Sequence, residues 1–524
     1  MIQDIDYAAI APPLVAAVAA VVTLLADAFG LLPRRTAGLV GLAGSAAALG
    51  AVAALAVGGR PRATFCLPGG LRGGGPPSCS YVVDDFTLLF QGLVLGAALI
   101  VVLLSFGEIT KSRLPAGEYH FLLLVAVTGA LTLAAARDLI TLVIALETLS
   151  LPVFALVAVR RYDGVGGEAA LKLFLFSVVA TAVTLFGVSL VYGVTGSMHL
   201  DRVAAALART PNGLEPVAAV GIVLVLTGFA VKTAAVPFHF WAPDVYQGAP
   251  LPVAAFLSVV SKAGGFAGLT IVLVVGFPAY ARTWGPVIGV VAAVTMTLGN
   301  LVALRQRRAV RLLAWSSIAQ SGYMLAPLAV GATGVRRLPD AVAATVAYVV
   351  IYTVMNIGAF GVVVAAARRG AVLIEEYRGL ARTSPAIGIA LAFFLACLAG
   401  LPPGVMGLFA KVVVVRATVA GGMTWLAIVM AVNTVIGLYY YLAWAARTFA
   451  APEAPVAPVA ASEAASETAS AARPGTGTKV AVDGAGHGVA IGIAIGAAAV
   501  VAVVLSVAPQ LVLHPRLPVS IIPG

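Results

Sequence analysis

The sequence predicts an all-α polytopic membrane protein. Of its 524 residues, 61% are hydrophobic and only 10% are charged, whereas a soluble domain carries about 25% charged residues. The mean hydropathy is +1.05. Apolar stretches of the length that crosses a bilayer, about 20 residues, recur along almost the whole chain. These three observations together indicate a chain that is embedded in a lipid bilayer.

Fourteen apolar segments are predicted to be membrane-spanning helices. The first follows the acidic start MIQDIDY. Because a signal peptide begins with basic residues, this segment is predicted to be a retained helix. The segments are 8–29, 36–57, 82–105, 118–136, 138–159, 168–194, 216–246, 251–276, 284–304, 310–330, 340–367, 385–419, 423–448 and 488–510.

Two of these segments, 216–246 and 385–419, are too long for one straight span and are predicted to be broken. Proline removes a helix hydrogen bond and clashes with the preceding turn. A break at membrane depth is tolerated only where protein or water covers the freed backbone groups, and broken helices in transporters point to the ion path. The prolines near the middle of the two segments are Pro237, Pro243, Pro402 and Pro403.

Alternating loops differ in basic residues, which predicts the orientation. The net charge of +11 is spread over short loops, which argues against a nucleic-acid surface. Basic loops face the cytoplasm, so both termini are predicted to lie outside. The richer set holds Arg34, Arg35, Lys111, Arg113, Arg160, Arg161, Arg305, Arg307, Arg308, Arg368, Arg369, Arg378 and Arg382, and the poorer set holds Arg60, Arg62, Arg72, Arg137, Arg202, Arg209, Arg282, Arg336 and Arg337.

The cysteines and histidines predict no metal site or iron–sulfur cluster. No C-x-x-C motif occurs, and the histidines lack metal-ligand spacing. Cys66 and Cys79 share a predicted outward loop, where a disulfide and two unpaired thiols are both compatible with the sequence. The segment 451–487 is rich in Ala, Pro, Ser, Glu and Gly, and it is predicted to be a mobile linker to the last helix.

Five ionisable residues remain at membrane depth once the loop charges are removed. Each costs roughly 2.5–3.5 kcal/mol at a helix centre, and together they would approach the whole stability of a domain, about 5–15 kcal/mol. They must therefore be paired or hydrated and face the bundle interior. Structural ion pairs and a proton relay are both open interpretations of the set, which comprises Glu147, Lys172, Lys232, Lys262 and Lys411.

The stretch GFAVKTAAVPFHFW, 228–241, favours the relay. A buried lysine changes its protonation readily when a carboxylate approaches or leaves, and Glu147 is the plausible depth-matched carboxylate for Lys232. The helix break at Pro237 would bring water to that lysine. His239 either joins the path or packs in the break. Lys172 lies near a helix end, where it could instead pair with Glu168 four residues earlier.

The stretch FAVKTAAVPFHFWAPDVYQGAPLPVAAFLSVVSKAGGF closely resembles the core signature of the antiporter-like membrane subunits of proton-pumping NADH:quinone oxidoreductase, complex I. The resemblance continues in GNLVALRQRRAVRLLAWSSIAQSGYML, YTVMNIGAFGVV and EYRGLARTSPAIGIALAFFLACLAGLPPGVMGLFAK. It covers the chain from near residue 80 to near residue 450. The first helix, IAPPLVAAVAAVVTLLADAFG, and the penultimate one, VNTVIGLYYYLAW, are most similar to subunit N. Lysine at Lys411 argues against the M type, which usually has glutamate there.

The resemblance implies an architecture and site residues. It implies two inverted five-helix repeats at 118–276 and 284–448, preceded by a three-helix segment, 1–117, and followed by the linker and a C-terminal helix and tail, 488–524. It also implies that Glu147 pairs with Lys232, that Lys262 is the central lysine and that Lys411 belongs to the second broken helix. In SSIAQSGY, Gln320 stands where many relatives have histidine. Glutamine cannot titrate, so this position would act through water or hydrogen bonds.

The resemblance implies a subunit that carries one proton pathway in a bacterial cell membrane, driven by NADH oxidation and quinone reduction elsewhere in the complex. NADH, FMN, Fe–S clusters and quinone are expected in partner subunits and none on this chain. The expected partners are a neighbouring antiporter-like subunit and small membrane subunits. Two alternatives stay open, namely a Na⁺/H⁺ antiporter or membrane-bound hydrogenase subunit, and a spacer that does not pump.

Overall fold

The computed structural model describes residues 5–30, 36–68, 70, 77–211, 213–451 and 484–513. Every one of the fourteen predicted segments contains helix. The helices are α1 (Ala11–Ala28), α2 (Ala37–Gly58), α3 (Asp85–Lys111), α4 (Ala116–Ala135), α5 (Leu139–Val157), α6 (Gly164–Thr195), α7 (Leu200–Leu207), α8 (Glu215–Lys232), α9 (Trp241–Gly248), α10 (Leu251–Phe256), α11 (Lys262–Ile271), α12 (Ala281–Ala303), α13 (Ala309–Leu325), α14 (Leu338–Ala367), α15 (Leu380–Thr383), α16 (Pro385–Ala399), α17 (Val405–Ala420), α18 (Thr424–Phe449), α19 (Gly484–Val507) and α20 (Gln510–Leu513).

Twelve helices in the described part of the chain are long and apolar enough to cross a membrane by themselves. The two remaining predicted segments are shorter for physical reasons. Helix α13 has 17 residues and continues as the 3₁₀ helix Ala326–Thr333. The second predicted break divides its segment into α16, with 15 residues, and α17, with 16. The chain is thus a mostly helical membrane protein, and the count of fourteen spans stays a prediction.

A β-hairpin precedes α3, where the sequence predicts only a loop. Strand β1 (Arg62–Cys66) pairs antiparallel with β2 (Cys79–Val83), and Cys66 lies opposite Cys79. The structure joins these two cysteines in a disulfide. The predicted helix 82–105 begins too early, because the start of α3 is fixed by Asp84, whose side chain accepts a hydrogen bond from the Thr87 backbone N–H at 2.8 Å.

The two halves of the chain repeat one order of elements. The first half runs α4, α5, α6, the broken pair α8 and α9, and then α10 with α11, and the second runs α12, α13, α14, the broken pair α16 and α17, and then α18. A matching backbone bridge joins the start of the second helix of each half to the segment after its third helix, Asp138 with His199 and Arg308 with Leu373. This order agrees with two five-helix units. Their inverted relation and the domain boundaries stay predictions.

Two helices form the centre of the bundle. In Leu251–Gly276, which joins α10 to α11, and in α14, 94% of the residues in the apolar stretch are buried, against 22% in α2. Leu257–Ser261 is a π-helical turn that ends just before Lys262, and such turns are frequent at functional sites. The most buried part of the described bundle therefore contains Lys262. Most of the predicted linker, 452–483, and the tail from 514 onwards lie outside the described residues.

Candidate functional site

The first helix break follows directly after Lys232. Helix α8 ends at this residue. Ala234 has a φ of 54°, a left-handed conformation that is energetically unfavourable for any residue with a Cβ atom. The backbone N–H of Val236 donates to Thr295 Oγ1 of α12 at 2.9 Å. Trp241 Nε1 donates to the carbonyl of Val231 at 3.0 Å. Protein groups thus cover the freed backbone atoms, as a break at membrane depth requires.

Glu147 and Lys232 line one cavity between α5, α6 and α8. The cavity leaves about 20 Å³ for the centres of water-sized spheres, which is room for about one water molecule. Glu147 Oε1 accepts a hydrogen bond from Thr181 Oγ1 at 2.5 Å. Among the described residues, Lys232 Nζ has neither a hydrogen-bond acceptor nor a direct ion pair with Glu147. The two predicted partners therefore share a space, but the carboxylate is bound to a threonine.

Small residues bring α6 and α8 close together beside this cavity. Gly228 of α8 packs against Thr184 of α6, and a Cβ atom at Gly187 would lie 2.7 Å from the carbonyl oxygen of Gly221. Small residues at helix contacts allow this close approach in membranes. This close packing places hydroxyl groups of α6 near the C-terminal end of α8, where the helix breaks after Lys232.

A second cavity continues from Lys232 toward the centre. It is lined by Lys232, Ser150, Ser177 and Ser261, and Ser150 and Ser177 also line the cavity that contains Glu147. Ser261 directly precedes Lys262 in the chain. Lys232 therefore lines both the space around Glu147 and a second space that extends to Ser261, the residue before the central lysine.

Lys262 is buried in the centre, with 2% of its surface exposed. Its Nζ donates to the Ser317 carbonyl at 2.6 Å, to Ser317 Oγ at 2.6 Å and to Ser321 Oγ at 2.8 Å. These acceptors satisfy all three donors of an ammonium group, and no described carboxylate contacts it. Ser321 Oγ donates to the carbonyl of Thr233 at 2.6 Å. The central lysine is thus connected to the first helix break through one serine.

Gln320 lies in a tyrosine cluster beyond Lys262. Tyr348 donates to Gln320 Oε1 at 2.5 Å, and Gln320 Nε2 donates to the Tyr441 hydroxyl at 3.2 Å. The ring of Tyr323 stacks on that of Tyr348 with 6.0 Å between centroids. Lys411 Nζ lies 5.8 Å from the Tyr323 ring centroid. Polar and aromatic side chains therefore connect Gln320 to Lys411 at the second break.

Lys411 contacts the end of a half-helix. Its Nζ donates to the carbonyl of Ala399 at 2.6 Å, and Ala399 is the last residue of α16. Gly400 then turns the chain with a φ of 82°, which glycine tolerates best. The carbonyl end of a helix carries partial negative charge, and half-helix ends bind cations in transporters. Lys411 is therefore stabilised by backbone groups rather than by a carboxylate.

Two of the predicted residues, Lys172 and His239, do not take part in the contacts described above for Glu147, Lys232, Lys262 and Lys411. Lys172 pairs with Glu168, as the spacing predicted, and also with Asp244, both at 2.8 Å. Asp244 in turn pairs with Arg311 at 3.0 Å, so the structure gives Lys172 a place in an ion-pair cluster. His239 is buried and packs its ring against Trp315, with 5.4 Å between centroids. No hydrogen bond among the described residues links its side chain to Lys232 or Lys262.

The sequence analysis missed the hydroxyl groups of the site. Ser317 and Ser321 lie four residues apart in SSIAQSGY, and this spacing on an apolar helix was an available signal. Thr181, Tyr348 and Tyr441 reach the site from other helices and carry no local signal. The described residues contain no group of three or more His, Cys, Asp or Glu side chains that could hold a metal ion.

Comparisons with known proteins identify the family. The model of a family described as "NADH:quinone oxidoreductase/Mrp antiporter, TM" matches residues 136–437. NADH-quinone oxidoreductase subunit N 2 of Streptomyces griseus is 54% identical over 86% of this chain and 84% of its own length. A chain in the structure of respiratory complex I from Thermus thermophilus with bound aureothin is 32% identical, with a TM-score of 0.72, covering 96% of this chain and 98% of that chain.

A chain of the Mrp complex from Dietzia sp. DQ12-45-1b shares the fold, with a TM-score of 0.79 over 97% of this chain and 96% of that chain. Its identity of 24% supports a likeness of fold alone. The high identity over most of both chains favours the oxidoreductase relatives. The chain therefore belongs to the NADH:quinone oxidoreductase/Mrp antiporter membrane family and, within it, to subunit N of NADH-quinone oxidoreductase.

Proposed function

We propose that this chain carries one proton pathway of a proton-translocating NADH:quinone oxidoreductase, along Glu147, Lys232, Lys262 and Lys411. The observation that supports this most is the environment of Lys262, a buried ammonium whose three acceptors are serine and backbone oxygens. A lysine without a fixed carboxylate partner gains and loses its proton more easily than one in a permanent ion pair. The two cavities around Lys232 on one side, and the hydroxyl groups of Ser317 and Ser321 beside Lys262, support this assignment.

The energy for transport comes from partner subunits in this proposal. NADH oxidation and quinone reduction take place elsewhere in the complex, on FMN, Fe–S clusters and quinone that this chain does not bind. The chain contacts a neighbouring antiporter-like subunit, small membrane subunits and lipid. Lys172 and His239 are proposed to act beside the pathway, and Gln320 acts through its hydrogen bonds to Tyr348 and Tyr441.

The test is to purify the tagged chain from its own membranes and to measure transport in vesicles. Co-purification of redox subunits and NADH-driven acidification of the vesicles are expected. Na⁺/H⁺ exchange by a complex without redox subunits would support the antiporter alternative instead. Unchanged pumping after replacement of Lys232 in an assembled complex would support a spacer that does not pump.

We propose an orientation with both termini outside and the basic loops in the cytoplasm. Segments that this orientation assigns to the cytoplasmic side form ion pairs with each other. Arg160 pairs with Glu108 at 2.5 Å and Arg447 with Glu375 at 3.0 Å. On the other side Ser78, next to the disulfide, donates to Asp201 at 2.5 Å. These contacts support the alternation of loops on which the orientation depends.

Labelling of intact cells is expected to modify Cys66 and Cys79 after treatment with an impermeant reductant. The background variant is Cys397→Ala, because this buried thiol is the third cysteine of the sequence. An impermeant maleimide is expected to label the reduced hairpin without lysis. Labelling that requires broken membranes would reverse the orientation.

Replacing Lys411 by alanine is expected to lower pumping by about five- to tenfold, which corresponds to about 1.0–1.4 kcal/mol. The change removes the cation that binds the Ala399 carbonyl at the end of α16. Lys411→Arg is also expected to impair pumping, because guanidinium keeps its proton. The measurement is acidification of vesicles at equal subunit content.

The matched control for Lys411 is Thr418→Val in the same helix, since the Thr418 hydroxyl donates to the carbonyl of Val414 in its own helix. This variant is expected to pump normally. Full activity of Lys411→Arg would show that a fixed positive charge is sufficient at the second break, and it would exclude proton release by Lys411.

A further inference from the structure

Thr181 lies on α6 beside the cavity that Glu147 and Lys232 share. Its hydroxyl donates to Glu147 Oε1 at 2.5 Å, a distance typical of a charge-assisted O–H···O⁻ bond. Among the described residues, no other group donates a hydrogen bond to this carboxylate. The position of Glu147 in the structure is therefore set by one threonine.

Thr181 also has a second acceptor. The backbone carbonyl of Ser177, one turn earlier in α6, lies 2.9 Å from Thr181 Oγ1. A hydroxyl group has one hydrogen to donate, so it bonds either to the carboxylate or to its own helix. When Glu147 moves away, Thr181 keeps a hydrogen bond, and its release of the carboxylate leaves no buried donor unsatisfied.

Glu147 accordingly has two arrangements within one cavity. In the first, which the structure shows, its carboxylate is bound to Thr181 and has no ion pair with Lys232. In the second, the carboxylate contacts the ammonium of Lys232, which lines the same cavity. The carboxylate that is bound to Thr181 has no ion pair with Lys232 in the structure. To reach the second arrangement it must move from α6 toward the end of α8, and this movement breaks its bond to Thr181.

We propose that Thr181 is a positioning residue that competes with Lys232 for the Glu147 carboxylate. By holding Glu147 on α6, Thr181 sets the fraction of time during which Lys232 is unpaired. The unpaired lysine can then pass its proton into the cavity that Ser177 and Ser261 line, and Ser261 directly precedes Lys262 in the chain. This inference rests on the proposed proton pathway and assigns to α6 a role in timing it.

Thr181→Val tests the inference, because valine keeps the shape of threonine and lacks the donor. Loss of a hydrogen bond to a charged group is expected to change the ratio of separated to paired states by about tenfold, which corresponds to about 1.4 kcal/mol. Pumping in vesicles at equal subunit content is expected to fall by about three- to tenfold. Thr181→Ser restores the donor and is expected to return pumping to within about twofold of the wild type.

A double-variant cycle separates competition from a structural role. Because Thr181 acts through the Glu147 charge, adding Thr181→Val to Glu147→Gln is expected to cause no further loss. The matched control is Ser189→Ala, also on α6, whose hydroxyl donates to the carbonyl of Leu185 in its own helix. This control is expected to pump like the wild type.

Three results would overturn the inference. They are wild-type pumping by Thr181→Val or by the smaller Thr181→Ala in assembled complex, a failure of Thr181→Ser to restore pumping, and an equal loss in the Glu147→Gln background. If Glu147→Gln is impaired while Thr181→Val is normal, only the role of Thr181 fails. If Glu147→Gln itself pumps normally, the proposed charge switch fails together with the inference.

Discussion

Replacement of Lys262 by methionine is expected to reduce proton pumping by at least about tenfold, which is less than the roughly 100- to 10,000-fold that a positioned proton-transfer group typically contributes. Methionine has nearly the length of lysine and fills the same buried volume. It removes the one group that connects α11 to Ser317 and Ser321 of α13. Ser321 keeps its own hydrogen bond to the Thr233 carbonyl, so no buried hydroxyl loses its acceptor and the complex is expected to assemble.

The measurement for Lys262 is NADH-driven acidification of vesicles, with quinone reduction and subunit content determined in the same samples. The matched control is Thr270→Val in the same helix. The Thr270 hydroxyl is buried and has no hydrogen-bond partner among the described residues, so this control is expected to pump normally. Lys262→Arg is expected to assemble and to fail in pumping, because the guanidinium stays charged. Wild-type pumping by Lys262→Met would remove the central lysine from the pathway.

Glu147→Gln is expected to stall the pathway at its first step. At about 4 Å and an effective dielectric near 20, the attraction between a carboxylate and an ammonium is about 4 kcal/mol, and at about 8 Å it falls to about 2 kcal/mol. The difference corresponds to roughly a 30-fold change in the tendency of Lys232 to hold its proton. Glutamine keeps the shape and the bond from Thr181, but it removes this charge. Pumping is therefore expected to fall by about tenfold or more.

Glu147→Asp is expected to retain partial pumping if the shorter side chain still reaches Lys232. The matched control is Thr148→Val, since the neighbouring Thr148 donates only to the Ile144 carbonyl of its own helix at 2.8 Å. Normal pumping by Glu147→Gln at full subunit content would contradict the charge switch. A loss in Thr148→Val of the same size would show that α5 tolerates no change at this turn.

Length and polarity made most of the fold predictable. The helices were predictable because each apolar segment must be long enough to cross the bilayer, and the breaks were predictable because two segments were too long for one span and contained proline, which removes a helix hydrogen bond. The hairpin before α3 was missed, since the short run Cys79–Val83 joins directly onto the apolar stretch that follows. Its strand depends on pairing with β1 across the disulfide, and this pairing is a contact distant in sequence.

The charged residues of the site were predictable from the sequence, whereas their hydroxyl-bearing partners were not. A lysine inside an apolar helix is costly and therefore conspicuous, as Lys232, Lys262 and Lys411 are. A threonine is not, because its hydroxyl can bond to the carbonyl four residues earlier, as Thr184 does to Ala180. The role of Thr181 became visible only when folding placed α5 beside α6. The direct Glu147–Lys232 contact, which pattern alone suggests, is one of two arrangements that the shared cavity allows.

The hydrogen bonds of Lys262 have a mechanical consequence. The lysine belongs to the first half of the chain, whereas Ser317 and Ser321 belong to the second half. An ammonium donates to all three of its acceptors at once, whereas a neutral amine has only two hydrogens to donate and turns its lone pair toward the third acceptor, which is repelled. A proton on Lys262 therefore strengthens the joint between the halves, and linkage makes the effect reciprocal. A force that separated α11 from α13 would therefore lower the affinity of this lysine for a proton, and in the proposed pathway such mechanical work at the joint would drive proton release.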